Sequence, residues 1–331
     1  MTERERFSPW RQLQLNSPLT QLALLLMMFG LGYILAGVAD GLIQQVWLSV
    51  YGGHAAKNKD EVLKNVELSR ILQIVGTFIF FVIPALLFTY ITKGSPTAKH
   101  LGFTNAISGK QMFIVVIMFM GAFFVSTALE EINQAIPLSK GLEASFKRME
   151  DEYNKEAETL GTIRTGSEYF IAVLMLALLP AVAEEMLFRG CLQKVMIGVT
   201  RNVAIGIVIT SILFSLMHGS YYGFLVRLFL GIMLGYIYYY GKNIWLNITM
   251  HFLNNAFVVT QMYSIAKNGG ISAADEQAAK SITLMSIVLV GVIATAGIVY
   301  LFKMFKQESE LVISMHRLDE MHNGEEPQNL L

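Results

Sequence analysis

The stretch 18–39, PLTQLALLLMMFGLGYILAGVA, contains no charged side chain. A helix needs roughly 20 mainly apolar residues to cross the hydrocarbon core of a bilayer, so this stretch predicts a membrane-spanning helix. Similar runs recur along the chain, and the apolar residues 202–241 divide into two spans at the turn-like segment 218–223. The other spans are assigned to residues 71–92, 111–129, 169–183, 243–266 and 281–302. The sequence therefore predicts an all-α fold, a polytopic membrane bundle with about eight transmembrane helices.

The composition agrees with a membrane protein. Of the 331 residues, 54% are hydrophobic and 15% are charged, whereas soluble domains average about 25% charged residues. The 25 Lys and Arg residues balance the 25 Asp and Glu residues, so the chain lacks the basic excess that nucleic-acid binding requires. The single cysteine, Cys191, excludes an intramolecular disulfide and a cysteine-based metal cluster. We expect an integral membrane protein surrounded by lipid, and its plain architecture favours a bacterial cell membrane.

We interpret residues 1–331 as a single integral-membrane domain with one sizeable polar insert, residues 130–166. Within this insert, apolar side chains recur at helical spacing: Leu142, Phe146, Met149 and Tyr153. The pattern predicts an amphipathic helix on the membrane surface. The alternative is a lid or substrate-gathering element over a site in the bilayer. The acidic C-terminal residues 307–331 are predicted to form a solvated tail.

Ionisable residues at membrane depth are concentrated at the end of the fourth span and beyond. Placing an ionisable group inside a span costs free energy, so such a group suggests a functional site. On a helix, Glu185 and Arg189 are four residues apart, so they share a face and can form an ion pair. Glu184 points about 100° away from that face, which leaves its carboxylate available as a general base. The alternative interpretation is a charge patch where the helix leaves the lipid.

Two further pairs of residues lie on the following helices. Phe214 and His218 are one helical turn apart, as are His251 and Asn255, so each pair projects along one face. Taken singly, each residue has a structural explanation, such as an amide that hydrogen-bonds two helices. Together with Glu184 on a third helix, they supply a base, two imidazoles and an amide donor. This set of groups is suited to hydrolysis.

Three motifs in the core region 184–255 resemble those of the CPBP family of intramembrane proteases: Glu184-Glu185-x-x-x-Arg189, Phe214-x-x-x-His218 and His251-x-x-x-Asn255. This family includes the type 2 CAAX prenyl endopeptidases and bacterial abortive-infection-like membrane proteins. The resemblance implies an intramembrane endopeptidase that hydrolyses a peptide bond of a membrane-associated, lipidated or CAAX-like, substrate. It also implies that Arg189 together with Glu185 orients the site.

The same resemblance implies roles for the other motif residues. Glu184 and His218 would activate the attacking water, while His251 and Asn255 would stabilise the developing oxyanion. In a metalloprotease, Glu184, His218 and His251 would instead bind zinc and leave an open position for water. The common His-Glu-x-x-His zinc motif is absent from the sequence, and a metal-free Glu/His mechanism is equally consistent with these residues.

Two other functions remain open at this point. A non-catalytic membrane scaffold or immunity-type protein could use the same bundle to bind a partner. A proton-coupled transporter could use Glu184 as its proton carrier, but the sequence lacks the repeated halves typical of such transporters.

Overall fold

A computed structural model of the chain describes residues 17–55, 65–93, 98–160, 163, 165–267 and 284–322. Every regular element in these residues is helical, and they contain no strand. The predicted all-α fold is therefore confirmed.

The helices are numbered in chain order. The first six are α1 (Pro18–Ala55), α2 (Val66–Thr77), α3 (Ile83–Lys93), α4 (Ala98–Leu101), α5 (Gly109–Ala135) and α6 (Lys140–Leu160). The others are α7 (Gly166–Ala172), α8 (Leu179–Leu187), α9 (Gln193–Thr200), α10 (Val203–Met217), α11 (Phe224–Gly241), α12 (Ile244–Lys267) and α13 (Leu284–His322).

Six helical segments in the described part of the chain are long and apolar enough to cross a membrane: Pro18–Val50, Val66–Lys93, Gly109–Ala135, Gly166–Thr200, Phe224–Gly241 and Met285–His322. The two other predicted spans are also helices. α10 has only 15 residues, and α12 contains the polar side chains of its motif. The predicted polytopic membrane bundle is confirmed, with eight as an approximate number of helices.

The last helix extends beyond its predicted span, residues 281–302. α13 continues to His322, and its polar residues bond to the start of α5: the Ser108 hydroxyl donates to Glu308 at 2.9 Å and the Gln111 amide donates to Ser309 at 3.0 Å. Ser309 is fully buried. The chain is helical as far as His322 and its residues Glu308 and Ser309 bond to another helix, whereas the solvated tail, residues 307–331, stays a prediction. Residues 323–331 lie outside the described part.

Three wide π-helical turns interrupt the spans. Those at Phe78–Val82 and Val173–Leu178 each end two residues before a proline, Pro84 and Pro180. A proline lacks the N–H that would continue the helical hydrogen bonds, so it disturbs the preceding turn. The third, Phe188–Leu192, follows the paired glutamates and includes Arg189. The segment that carries Glu184 is thus a short α-helix between two wide turns.

Glycines on α11 allow it to approach α10 closely. A Cβ atom on Gly231 would lie 2.9 Å from the Cβ of Ser211, and one on Gly235 would lie 2.5 Å from Cγ2 of Ile207. Neither position has room for a larger side chain. This contact fixes α11 beside the helix that ends at His218.

Candidate active site

A cavity of about 720 Å³ lies among helices α5, α6, α8, α10, α11 and α12. Five of the seven predicted site residues line it: Glu184, Phe214, His218, His251 and Asn255. The other two, Glu185 and Arg189, are not among its lining residues, and their side chains are fully buried. The structure thus brings the three motifs together around one space.

The carboxylate of Glu185 is the centre of a buried hydrogen-bond network. Its Oε1 accepts from Nη1 of Arg189 at 2.7 Å, which is the pairing that the spacing predicts, and from Nδ1 of His251 at 2.9 Å. Its Oε2 accepts from the amide of Asn247 at 3.2 Å. Arg189 also donates to the carbonyl of Gly231 at 3.2 Å. Several charge-assisted donors offset the cost of burying this carboxylate.

Glu184 has a different environment from its neighbour in the sequence. Its Oε2 has no hydrogen-bond partner among the described residues. Nε2 of His251 lies 3.8 Å from this oxygen, which is too long for a direct hydrogen bond. One glutamate is held by a cation while the other faces the cavity, the division that helix geometry predicts.

Hydrogen bonds fix which nitrogen of each histidine carries a proton. Nδ1 of His218 is 2.8 Å from the carbonyl oxygen of Phe214, and a carbonyl can only accept, so Nδ1 is protonated. Nδ1 of His251 donates to Glu185 in the same way. In their neutral forms both rings therefore have an unprotonated Nε2. The ring of Phe214 packs edge-on against both, with centroid distances of 4.8 Å to His218 and 5.9 Å to His251.

The side chain of Asn255 is oriented by its neighbour. Nδ2 of Asn254 donates to Oδ1 of Asn255 at 3.3 Å, and both residues line the cavity. This contact uses the acceptor of the Asn255 amide. Its Nδ2 group keeps the N–H donors that an oxyanion would need.

The predicted zinc ligands do not form a ready metal site. In the described part of the chain, no three His, Cys, Asp or Glu side chains are grouped so that they could hold a metal ion. Zinc bound by Glu184, His218 and His251 stays a prediction.

The predicted amphipathic helix in the polar insert is present as α6, although the side chain of Tyr153 is outside the described part. The ring of Phe146 stacks on that of Tyr221, with centroids 4.4 Å apart and planes 4° apart. Glu150 accepts a hydrogen bond from Ser220 at 2.6 Å and also lines the cavity. α6 therefore lies against the segment between α10 and α11, as the lid interpretation requires. Whether α6 moves stays a prediction.

The sequence interpretation missed two polar residues at this site. Asn247 contacts Glu185, and a signal for it exists, because Asn243, Asn247, His251 and Asn255 recur at intervals of four residues. This spacing places Asn247, His251 and Asn255 along one face of α12, and Asn243 directly precedes the helix. Glu150 had no such signal, because its approach to the cavity depends on how α6 packs.

Part of the chain matches a known protein family. Residues 166–257 match the family model described as Type II CAAX prenyl endopeptidase Rce1-like. This segment is similar to the domain that the family shares. It contains all three motifs, and the predicted resemblance to the CPBP family is confirmed. No curated protein and no solved structure matches the chain.

This similarity supports a function at the level of the family. It indicates a CAAX-type intramembrane endopeptidase, a hydrolase whose substrate class is a membrane-associated peptide. The apolar helices and this domain together identify an integral membrane protein.

Proposed function

We propose that the Rce1-like domain of this chain hydrolyses a peptide bond of a membrane-anchored substrate with a water molecule activated by Glu184 and His218. The observation that carries the proposal is the shared cavity, which Glu184, His218, His251 and Asn255 all line. Glu185 and Arg189 are buried outside its lining, where they can orient but not react.

The first step is the activation of water. A water molecule that donates to Oε2 of Glu184 would satisfy this buried acceptor. The unprotonated Nε2 of His218 accepts the second hydrogen bond and aligns the water. Glu184 then takes a proton while the water oxygen bonds to the substrate carbonyl carbon.

The second step is the collapse of the tetrahedral intermediate. The Asn255 amide donates to the negatively charged oxygen, and His251 donates from Nε2 when its ring carries a second proton. The C–N bond then breaks, and Glu184 returns its proton to the leaving amine. The remaining hydroxyl proton of the intermediate passes to the released amine as the carboxylate forms. The products are a carboxylate and an ammonium group, and Glu184 is again ionised. This assignment needs no metal ion, and zinc bound by Glu184, His218 and His251 is the alternative.

The proposed substrate is a peptide or protein terminus held at the membrane by a lipid group or an apolar segment. The prenyl endopeptidase description of the matched family supports a lipidated, CAAX-like terminus. Apolar side chains of the cavity wall support it too: Phe123, Leu176, Val226, Leu230 and Phe257. We propose that the protein lies in a bacterial cell membrane. There, the substrates would be small leader peptides or membrane-protein termini in place of CAAX-like termini.

The proposal is tested by cleavage of a lipidated fluorogenic peptide by purified protein in liposomes. We expect Glu184→Gln and His218→Gln each to lower kcat by about 10²- to 10⁴-fold, because each removes a group that handles the proton. Glu131→Gln is the matched control: it makes the same change in the other pair of adjacent glutamates and should leave kcat within about threefold of the wild-type value.

Retained cleavage by both folded variants would overturn the assignment of Glu184 and His218. If both variants also kept a cellular phenotype that a change in α6 removed, the scaffold function would be favoured instead.

A further inference from the structure

We infer that Asn247 is a positioning residue of this site, acting through Glu185 on His251. Asn247 lies one helical turn before His251 on α12 and belongs to none of the three motifs. The inference rests on the proposed function, because it assigns a further role in the same reaction.

The contacts of Asn247 are directed and buried. Its side chain is fully shielded from solvent, and its Nδ2 donates to the carbonyl of Leu234 at 2.7 Å and to Oε2 of Glu185 at 3.2 Å. The other oxygen of Glu185 already accepts from Arg189 and His251. Asn247 thus supplies the hydrogen bond that holds the second oxygen of this carboxylate.

Burying the Asn247 amide costs free energy, which suggests that the hydrogen bonds donated by its N–H groups have a role. Oδ1 of Asn247 has no partner among the described residues, and a buried acceptor without a hydrogen bond destabilises the folded state. A leucine of similar size would avoid that penalty. The amide differs from leucine in its two N–H donors, and the structure uses both: one ties α12 to α11 and the other reaches Glu185.

The effect reaches the reacting atoms through His251. A carboxylate that accepts from one ring nitrogen fixes both the tautomer and the orientation of the histidine. With both oxygens held, the Glu185 carboxylate cannot rotate, so Nδ1 of His251 keeps its proton and Nε2 stays 3.8 Å from Glu184. Without the Asn247 donor, the carboxylate can turn away from His251. Because Asn247 does not line the cavity, its loss should affect kcat and not KM.

The test compares Asn247→Leu with Asn243→Leu in the full-length protein. Asn243 is also fully buried. Its Nδ2 donates to the carbonyls of Thr104 at 3.0 Å and Ala106 at 2.9 Å, and its Oδ1 accepts from the N–H of Trp245 at 2.9 Å, so it bonds to a connecting segment and to the start of α12 and not to Glu185. In the cleavage assay we expect Asn247→Leu to lower kcat by about 10- to 100-fold with KM within about twofold. Asn243→Leu should lose thermal stability but keep kcat per folded molecule within about threefold.

A second measurement does not depend on activity. In protein with ¹⁵N-labelled histidine, the His251 signal is assigned by its loss in His251→Gln, and it should report a protonated Nδ1 in the wild type. We expect Asn247→Leu to show a mixture of the two tautomers. If that variant does not fold, Asn247→Ser, which keeps one hydroxyl donor, should give intermediate values of both readouts.

Two results would overturn the inference. One is an unchanged kcat and an unchanged His251 tautomer in a folded Asn247 variant. The other is an equal loss of kcat in Asn243→Leu, which would show that the effect is one of stability. A wild-type protein that cleaves no peptide would refute the proposed function, while the tautomer comparison would still decide the role of Asn247.

Discussion

Replacing Arg189 with methionine tests the buried network on which the site depends. Methionine keeps much of the length of the side chain but removes its charge and donors. Arg189 donates to Glu185 at 2.7 Å and to the Gly231 carbonyl at 3.2 Å, and its guanidinium carbon lies 4.9 Å from the centroid of the Phe214 ring. The change therefore leaves a carboxylate without its cation at a position with no access to solvent.

The expected cost follows from these contacts. Removing one partner of a buried ion pair destabilises proteins by about 3–5 kcal/mol. The charge of Glu185 keeps two donors, His251 at 2.9 Å and Asn247 at 3.2 Å, which reduces the cost. The lost bond to the Gly231 carbonyl adds about 1 kcal/mol. We therefore expect Arg189→Met to lower the free energy of unfolding by about 4 kcal/mol.

The assay is equilibrium unfolding in mixed micelles, with Arg189→Met compared with the double variant Glu185→Gln/Arg189→Met. The double variant has no unpaired buried charge, so we expect it to recover about half of the lost stability, or more. A loss below about 1 kcal/mol in the single variant, or a double variant less stable than the single one, would refute this account of the network.

Three further predictions concern the chemistry and the packing. Asn255→Ala should lower kcat by about 10²- to 10³-fold with little change in KM, because it removes an oxyanion donor; steady-state kinetics with the same peptide measures both, and a change in KM alone would contradict this role. A metal-free mechanism predicts that cleavage survives dialysis against a strong zinc chelator, whereas inactivation that added zinc reverses would establish the metalloprotease alternative. Gly206→Ala should destabilise the bundle by about 1–3 kcal/mol, since its Cβ would lie 2.7 Å from the backbone nitrogen of Ile197. Gly297→Ala, where nothing lies within 4 Å, should be neutral or gain up to about 1 kcal/mol in the same unfolding assay.

Features that depend on local spacing could be predicted from the sequence. The pairing of Glu185 with Arg189 requires only the four-residue repeat of one helix, and the structure shows it at 2.7 Å. The apolar runs predict the spans because the length of an uncharged run can be read directly from the sequence. The grouping of Glu184 with His218 and His251 was reached through the motifs, since spacing within a helix does not say which helices meet.

Features that depend on contacts between distant segments could not be predicted. The stack of Phe146 on Tyr221 joins residues 75 positions apart in the chain, and nothing in either local sequence marks the other as its partner. The end of α13 is similar, because the charge of Glu308 suggests exposure to solvent until its bond to Ser108 is known. Asn247 is an intermediate case. Its four-residue spacing from His251 can be read from the sequence, but its hydrogen bond to Glu185 cannot.

The position of Glu185 and Arg189 on one continuous span also bears on how the chain enters the membrane. A lone charged residue near the middle of a span costs about 2.5–3.5 kcal/mol to insert. Because these two side chains lie four residues apart on one segment, they can neutralise each other before α12 has been synthesised. His251 and Asn247 then bind a carboxylate that is already paired. The segment Gly166–Thr200, which is long and apolar enough to cross a membrane, can thus be inserted and still deliver a charged group to the finished site.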